Sequence, residues 1–196
     1  MKKISIVVPC YNEQEVLPLF YIEIQKVMQQ IQEEHADTEF ELLFINDGSR
    51  DGTLAKLREL AKQDERVRYI SFSRNFGKES GMYAGLENAT GDYVVIMAAD
   101  LQHPPAFLPK MYNIVLSGEY DCATTRRVSR KGEPKLLSWF SRKFYKIMKR
   151  ISQTEIVDGA QDFRFMTRQM VDSILAMKEY NRFSKGIFSW VGFRTK

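Results

Sequence analysis

Cysteine is scarce in this chain, with only Cys10 and Cys122 among 196 residues. The two lie in or beside apolar stretches, without metal-ligand spacing and without the density of a disulfide scaffold. That usage fits a reducing, cytosolic setting. Histidine is equally rare: His35 and His103 are the whole supply, so imidazole chemistry has little to draw on. His35 stands in a polar loop, and His103, just before Pro104 and Pro105, reads as a turn residue before it reads as a base or metal ligand. No apolar run reaches the roughly 18 residues of a membrane span. The chain passes from Lys2 and Lys3 straight into a short apolar run at 4–8, too brief for a secretory leader. Repeats and low-complexity segments are missing, as are nucleic-acid motifs and ladders of stacking aromatics.

What is present is ordinary globular material, 44% hydrophobic, with a modest net charge of +4. That length suits one domain with a sizeable core. Strand-like apolar runs at 4–8, 40–45, 67–72, 93–97 and 121–124 alternate with helical periodicity. Val16, Phe20, Ile24, Val27 and Ile31 keep one helix face; Leu54, Leu57 and Leu60 keep another, and Met82 with Leu86 a third. Pro105 suits the first turn of a helix carrying Phe107, Leu108, Met111, Ile114 and Val115. Such alternation predicts an α/β fold, a mostly parallel sheet with helices on both faces. The last third differs. Leu136, Leu137, Phe140, Phe144, Ile147, Met148 and Ile151 form an apolar stripe on a cationic helix. A further helix begins near Thr167 with Met170, Val171, Ile174 and Leu175, and the tail is aromatic and basic.

Charge is uneven as well. Residues 126–150 hold ten Lys or Arg against one acid, Glu133. A solvated face, an anionic membrane surface, nucleic acid and a phosphate-bearing substrate all suit such a block. Polar residues cluster at strand ends, where α/β sheets place their ligands. Strand one runs into Pro9, Cys10, Tyr11, Asn12 and Glu13; strand two into Asn46, Asp47, Gly48, Ser49, Arg50, Asp51, Gly52 and Thr53. Turn and cap chemistry alone would explain the second set. The fourth strand ends in Ala98, Ala99, Asp100, Leu101, Gln102, His103, Pro104 and Pro105. Asp100 and Gln102 are hard oxygen donors of the kind Mg²⁺ or Mn²⁺ takes while also holding a diphosphate. Two more clusters are residues 74–79 and 159–164. Lys78 is either solvent-facing or part of a site. Asp162 is either a structural acid paired with Arg164 or a carboxylate of a ligand pocket.

Together these motifs closely resemble the family 2 glycosyltransferases of GT-A type, in the branch that loads a sugar onto a polyprenyl phosphate. That branch carries Pro-x-Tyr-Asn-Glu, Asn-Asp-Gly-Ser-x-Asp-Gly-Thr, Asp-x-Asp followed by Leu-Gln-His-Pro-Pro, and Gly-x-x-Asp-Phe-Arg. Here Ala98 replaces the first Asp of the metal motif. The resemblance implies a Rossmann-like nucleotide-binding half over residues 1–125 and an acceptor and membrane-proximal part over 126–196. Pro9, Tyr11, Glu13, Asp47, Lys78 and Ala99 would hold a UDP-sugar, and Asp100 with Gln102 a Mg²⁺ or Mn²⁺ ion. Arg127, Arg142 and Lys143 would grip the acceptor phosphate, and Asp100, Arg127, Arg142 and Asp162 would serve catalysis. The implied reaction is inverting transfer of glucose or an N-acetylhexosamine to undecaprenyl phosphate, at the cytoplasmic membrane face, for the cell envelope. Transmembrane helices usually follow in that branch and are not in these 196 residues. A homo-oligomer is left open. The rival reading is a catalytically silent module that binds a nucleotide sugar, which Ala98 favours.

Overall fold

The computed structural model describes residues 1–126, 160–177, 179 and 182–196. In chain order the elements are β1 (Lys2–Cys10), α1 (Leu17–Glu34), β2 (Thr38–Asn46), α2 (Thr53–Gln63), β3 (Val67–Ser71), α3 (Lys78–Asn88) and β4 (Tyr93–Ile96). A 3-10 turn (Pro105–Phe107) leads into α4 (Leu108–Leu116), followed by β5 (Cys122–Arg126), β6 (Ala160–Thr167), α5 (Arg168–Ala176) and α6 (Ser184–Trp190). The six strands form one sheet in the order β3-β2-β1-β4-β6-β5. β3, β2, β1 and β4 are parallel neighbours, whereas β6 runs antiparallel to both β4 and β5.

The central strands β1, β2 and β4 are apolar on both faces because helices cover both, whereas the edge strand β3 leaves Arg68, Tyr69 and Ser71 exposed. On one side Ile4, Ile6, Val8, Leu42, Phe44 and Phe165 meet α1, α2 and α4 through Phe20, Ile24, Leu57 and Tyr112. On the other, Val7, Leu43, Ile45, Val94, Ile96 and Met166 meet α3, α5 and α6 through Met82, Leu86, Met170, Ile174 and Phe188. The weak apolar stripe of α3 has a steric reason. A Cβ at Gly85 would lie 2.1 Å from a methyl of Val7, so the helix backbone itself sits against β1 and needs few large side chains.

Two stretches take a form that local pattern did not show. The cluster at 159–164 is largely strand β6, in which Phe163 and Phe165 enter one core and Met166 the other. The aromatic, basic tail is divided: Phe188 is buried in the second core while Trp190 is 65% exposed. Its last residues lie along β5, with Thr124 N–H donating to the Lys196 carbonyl at 3.0 Å and Lys196 N–H to that of Cys122 at 2.9 Å. The stripe expected at 136–151 lies outside the described residues. Among those described, no helix is long and apolar enough to cross a membrane.

Candidate active site

β1, β2, β3 and β4 point the same way, so their carboxyl ends share one edge of the sheet and their turns converge there. The first two turns are laced together. Asn12 N–H donates to Ser49 Oγ (2.9 Å) and Arg50 N–H to Asn12 Oδ1 (2.9 Å). Glu13 N–H reaches Thr53 Oγ1 (2.8 Å), Gln14 N–H reaches Asp51 Oδ2 (3.2 Å), and Gly52 N–H returns to Gln14 Oε1 (2.6 Å). Each side chain satisfies a backbone group of the other turn, leaving few unpaired donors to blur the geometry.

The turn after β3 docks on the same unit. Asp47 is 4% exposed and accepts from Phe76 N–H at 2.7 Å and Gly77 N–H at 2.9 Å. Gly48 makes that approach possible: its φ is +64°, and a Cβ there would fall 2.2 Å from the Arg74 carbonyl carbon. Between these turns lies a cleft of about 300 Å³ bordered by Asn46, Ser49, Arg50, Phe72, Arg74 and Asn75. Lys78, the first residue of α3, is half-exposed, and its Nζ meets Asp162 of β6 at 2.5 Å. Asp162 is thus paired with Lys78, and among the described residues no ion pair joins it to Arg164.

The turn after β4 closes the edge. Asp100 is exposed, and its Oδ1 accepts from Gln102 N–H at 3.1 Å, a local Asx turn. Leu101 there and Asn12 in the first turn, each with φ of +56°, are the non-glycine residues of positive φ among the described residues. Asn tolerates that conformation; leucine pays about 1–2 kcal/mol for it, and such strain gathers at functional sites. Ala98 is partly exposed and Ala99 buried. His103 stacks on Phe163 with ring centroids 6.2 Å apart, in keeping with a turn residue.

Electrostatically the edge is uncomfortable for acids. Burial raises the pKa of Glu13, and the charges of Asp100 and then Asp51 add to the rise. The carboxylates of the first and fourth turns thus feel one another. Among the described residues no group of three or more His, Cys, Asp or Glu could hold a metal by itself. Asp100 and Gln102 nevertheless fit a Mg²⁺ or Mn²⁺ ion that brings further oxygen ligands with a diphosphate, the usual way such ions bind. Glu13 gains from the same ion through relief of repulsion. Arg127, Arg142 and Lys143 lie outside the described residues.

Sequence reasoning placed Pro9, Tyr11, Glu13, Asp47, Lys78, Ala99, Asp100 and Gln102 on these turns, and the fold brings the turns to one edge. Asn12, Ser49 and Asp51 stood in those turns without a role of their own, and Gln14 lay outside them; their work is to hold the first two turns together. Sequence reasoning also missed the Lys78–Asp162 pair, whose members are 84 positions apart.

Parallel strands with converging polar turns define an α/β domain whose ligand cleft lies at the carboxyl edge of its sheet. The model of glycosyl transferase family 2 matches residues 5–175, and the chain belongs to that family. CsbB of Bacillus subtilis (strain 168) is 42% identical over 193 residues, covering 98% of this chain and 56% of its own length. A prophage bactoprenol glucosyl transferase homolog of Escherichia coli (strain K12) is 40% identical over 193 residues, covering 98% and 61%. The chain thus spans less than two thirds of the curated relatives it matches. Its fold is that of GT-A glycosyltransferases: a mannosyltransferase of Pyrobaculum calidifontis, solved with GDP-Man and Mn²⁺, superposes with a TM-score of 0.66 at 19% identity, covering 99% of this chain and 54% of that one.

Proposed function

We propose that the protein transfers a sugar from a UDP-sugar to the phosphate of a membrane polyprenol, with inversion at the anomeric carbon. The observation that carries this reading is the convergence of the four strand-end turns on one edge, with Asp47, Lys78, Asp100 and Asp162 drawn into it. Relatives named for glucosyl transfer to bactoprenol support the acceptor class.

In this reading residues 1–125 hold the donor. Pro9, Tyr11 and Glu13 flank base and ribose. Asp47 acts on the base side, directly or by holding the turn at Phe76 and Gly77 in place. Lys78 and the backbone at Ala99 lie along the diphosphate. An oxygen of the acceptor phosphate attacks the anomeric carbon from the face opposite UDP, and the bond to the UDP oxygen breaks with its electron pair. That nucleophile is already anionic near neutral pH, so no strong base is needed, and Asp162 orients Lys78 and the sugar. A Mg²⁺ or Mn²⁺ ion, when bound at Asp100 and Gln102, supplies positive charge to the leaving group. Arg127, Arg142 and Lys143 aim the acceptor, for which the guanidinium fork is well shaped. The basic stretch 126–150 draws this part to an anionic, cytoplasmic membrane face.

A second reading has one specific observation behind it. Ala98 removes a carboxylate from the expected metal motif, so the chain binds the nucleotide sugar without transferring it. One experiment separates the two. The chain is incubated with a panel of UDP-sugars and undecaprenyl phosphate, with and without Mn²⁺, and product and UDP binding are measured together. Transfer supports the first reading and binding without transfer the second. Binding of neither UDP nor any UDP-sugar overturns both.

A further inference from the structure

The candidate cation site is thin in charge. Asp100 brings one carboxylate and Gln102 an amide, while Ala98, two residues before Asp100, offers only a methyl. Affinity for a divalent ion grows with the number of anionic ligands. The sheet presents a second carboxylate from another strand. β4 and β6 pair Tyr93 with Thr167 and Ile96 with Arg164, and two more steps of that register set Ala98 across from Asp162. The strand path continues past Ile96, since Met97 N–H donates to the Val7 carbonyl at 3.1 Å. The two residues also share a face. Met97 and Ala99 enter the first core, so Ala98 between them turns toward α3, where the Asp162 carboxylate reaches Lys78. Directly opposed residues of antiparallel strands hold their Cβ atoms about 4.5–5.5 Å apart, so a carboxylate on either strand can serve one place between them.

Lys78 holds that carboxylate, with Nζ 2.5 Å from Asp162 Oδ2. With Asp162 turned this way, no three acids gather into a metal group among the described residues. The ammonium is the movable member of the pair. Its side chain is half-exposed, whereas the start of α3 is pinned from two sides. Asp47 holds the N–H groups of Phe76 and Gly77, and Glu79 accepts from Ser184 at the start of α6. Asp162, by contrast, has a short side chain on a strand paired with β5. A cation in the first turn of a helix also stands against the helix dipole, so Lys78 needs an anion there. A carboxylate serves, and so does a diphosphate.

We propose that Asp162 supplies the carboxylate that position 98 lacks, joining Asp100 and Gln102 as ligands of a Mg²⁺ or Mn²⁺ ion that accompanies the nucleotide diphosphate. Lys78 is the counter-cation of Asp162 in this arrangement and turns to the diphosphate when a donor binds, which leaves Asp162 to the ion. One positive partner replaces another, so a further acid is never left bare beside Asp100 and Glu13, whose charges already repel. This inference rests on the donor reading proposed above and adds a residue to it.

The test follows Mn²⁺ by electron paramagnetic resonance and UDP by calorimetry. It uses the full chain, Asp162→Asn, Lys78→Met, and a double variant carrying Ala98→Asp with Asp162→Asn. With UDP present, Asp162→Asn is expected to weaken Mn²⁺ binding roughly tenfold or more, the scale on which even outer partners of a metal tune its affinity. Without Mn²⁺ the same variant is expected to bind UDP no more weakly than the parent, because Lys78 has no carboxylate to leave. Moving the carboxylate across the strand pair, in the double variant, is expected to restore Mn²⁺ affinity. A purely structural Asp162 would gain nothing from Ala98→Asp. Unchanged Mn²⁺ affinity in Asp162→Asn, or no recovery in the double variant, overturns the assignment. Mn²⁺ alone, without nucleotide, is expected to bind Lys78→Met more tightly than the parent, since the competing ammonium is gone. No gain there overturns the assignment as well, whether or not Asp162→Asn folds. If UDP binds neither with Mn²⁺ nor without it, the donor reading falls and the Lys78→Met arm still decides the role of Asp162. Normal UDP binding, with Mn²⁺ affinity untouched by Asp162→Asn, removes this inference alone.

Discussion

The two ends of the sheet treat carboxylates in opposite ways. Near the amino end Glu41, in the middle of β2, is buried and has more partners than oxygens. It accepts from Ser5 Oγ at 2.5 Å, Thr90 N–H at 2.7 Å and Arg68 Nη1 at 2.9 Å, with Lys3 3.6 Å away. Burial alone would raise its pKa, but those bonds outweigh burial and bring it down to about 2. At the carboxyl end Glu13 moves the other way, raised by burial and by the charges of Asp100 and Asp51. One acid ties β1, β2 and the start of β4 together; the others crowd where a cation and a diphosphate would relieve them. The same residue type serves stability at one end and waits for a ligand at the other, and the difference lies in the donors around it.

The sharpest way to break the comparison is at the stabilising end. Glu41→Ala strips partners from Ser5, Thr90 and Arg68 at once and is expected to cost about 3–5 kcal/mol, the range for breaking a buried pair. Urea unfolding measures it. The folded pKa lies below the ordinary 4.5, so this stability is fully present above about pH 4.5 and is lost as pH falls toward 2. The gap between parent and variant is therefore expected to close with acid. A constant gap from pH 7 to pH 3 would mean that Glu41 acts through packing alone.

At the ligand end the largest effect is expected from Gly48→Ala, at about 1–3 kcal/mol from the forced conformation, with a further loss from the clash. Its Cβ would strike Arg74 and Asn75, lifting the turn that Asp47 holds and abolishing UDP binding. Gly118→Ala is the matched control. Its φ is +75° but nothing lies within 4 Å of the added Cβ, so about 1 kcal/mol of conformational cost and normal UDP binding are expected. Calorimetric titration with UDP beside thermal melts separates the two; equal UDP affinity in both variants would mean the turn at residues 74–77 does not shape the cleft.

Ala98→Asp is expected to raise turnover roughly tenfold, about 1.4 kcal/mol of transition-state stabilisation, with a smaller change in UDP affinity. A third carboxylate beside Glu13 and Asp100 deepens the demand for a cation at this end, so the gain should require Mn²⁺. The assay belongs in a membrane-anchored, full-length context, where access to the lipid acceptor is not limiting. Equal turnover of parent and variant there would show that a carboxylate at this position is dispensable.

The fold was legible where periodicity speaks locally. Four parallel strands and the helices α1 to α4 follow from apolar runs and stripes. β6 was not, because Asp162 and Arg164 alternate with Phe163 and Phe165 and the polar members drew the eye. Only its antiparallel pairing with β4, many residues earlier, makes the alternation a strand. The turns of the site were legible from residue types, since Asp, Asn, Gly and Ser at strand ends have little else to do. Their lacing was not: which side chain of 12–14 meets which amide of 49–53 depends on the register of β1 against β2. The anchoring of α6 is equally remote from local pattern, with Ser184 donating to Glu79 at the start of α3 through both its backbone N–H, at 3.1 Å, and its hydroxyl.

The smallest effect, and the most discriminating, concerns Glu13. Its folded pKa lies above the ordinary 4.5, so the folded state holds a proton there more tightly than the unfolded state does. Stability therefore falls as pH rises through that window, and the charged carboxylate is a liability above it. Glu13→Gln keeps the shape and removes the charge. It is expected to melt slightly higher than the parent at pH 7 and indistinguishably from it below about pH 4, where both are neutral. Burial and like charge make different predictions once a cation is added. If repulsion from Asp100 matters, Mn²⁺ with UDP should raise the parent's melting temperature more than the variant's and so narrow the gap. If burial alone raises the pKa, the gap should survive the ion unchanged. A variant that melts lower than the parent at pH 7 would place Glu13 among the stabilising acids, beside Glu41, and remove the contrast between the two ends of the sheet.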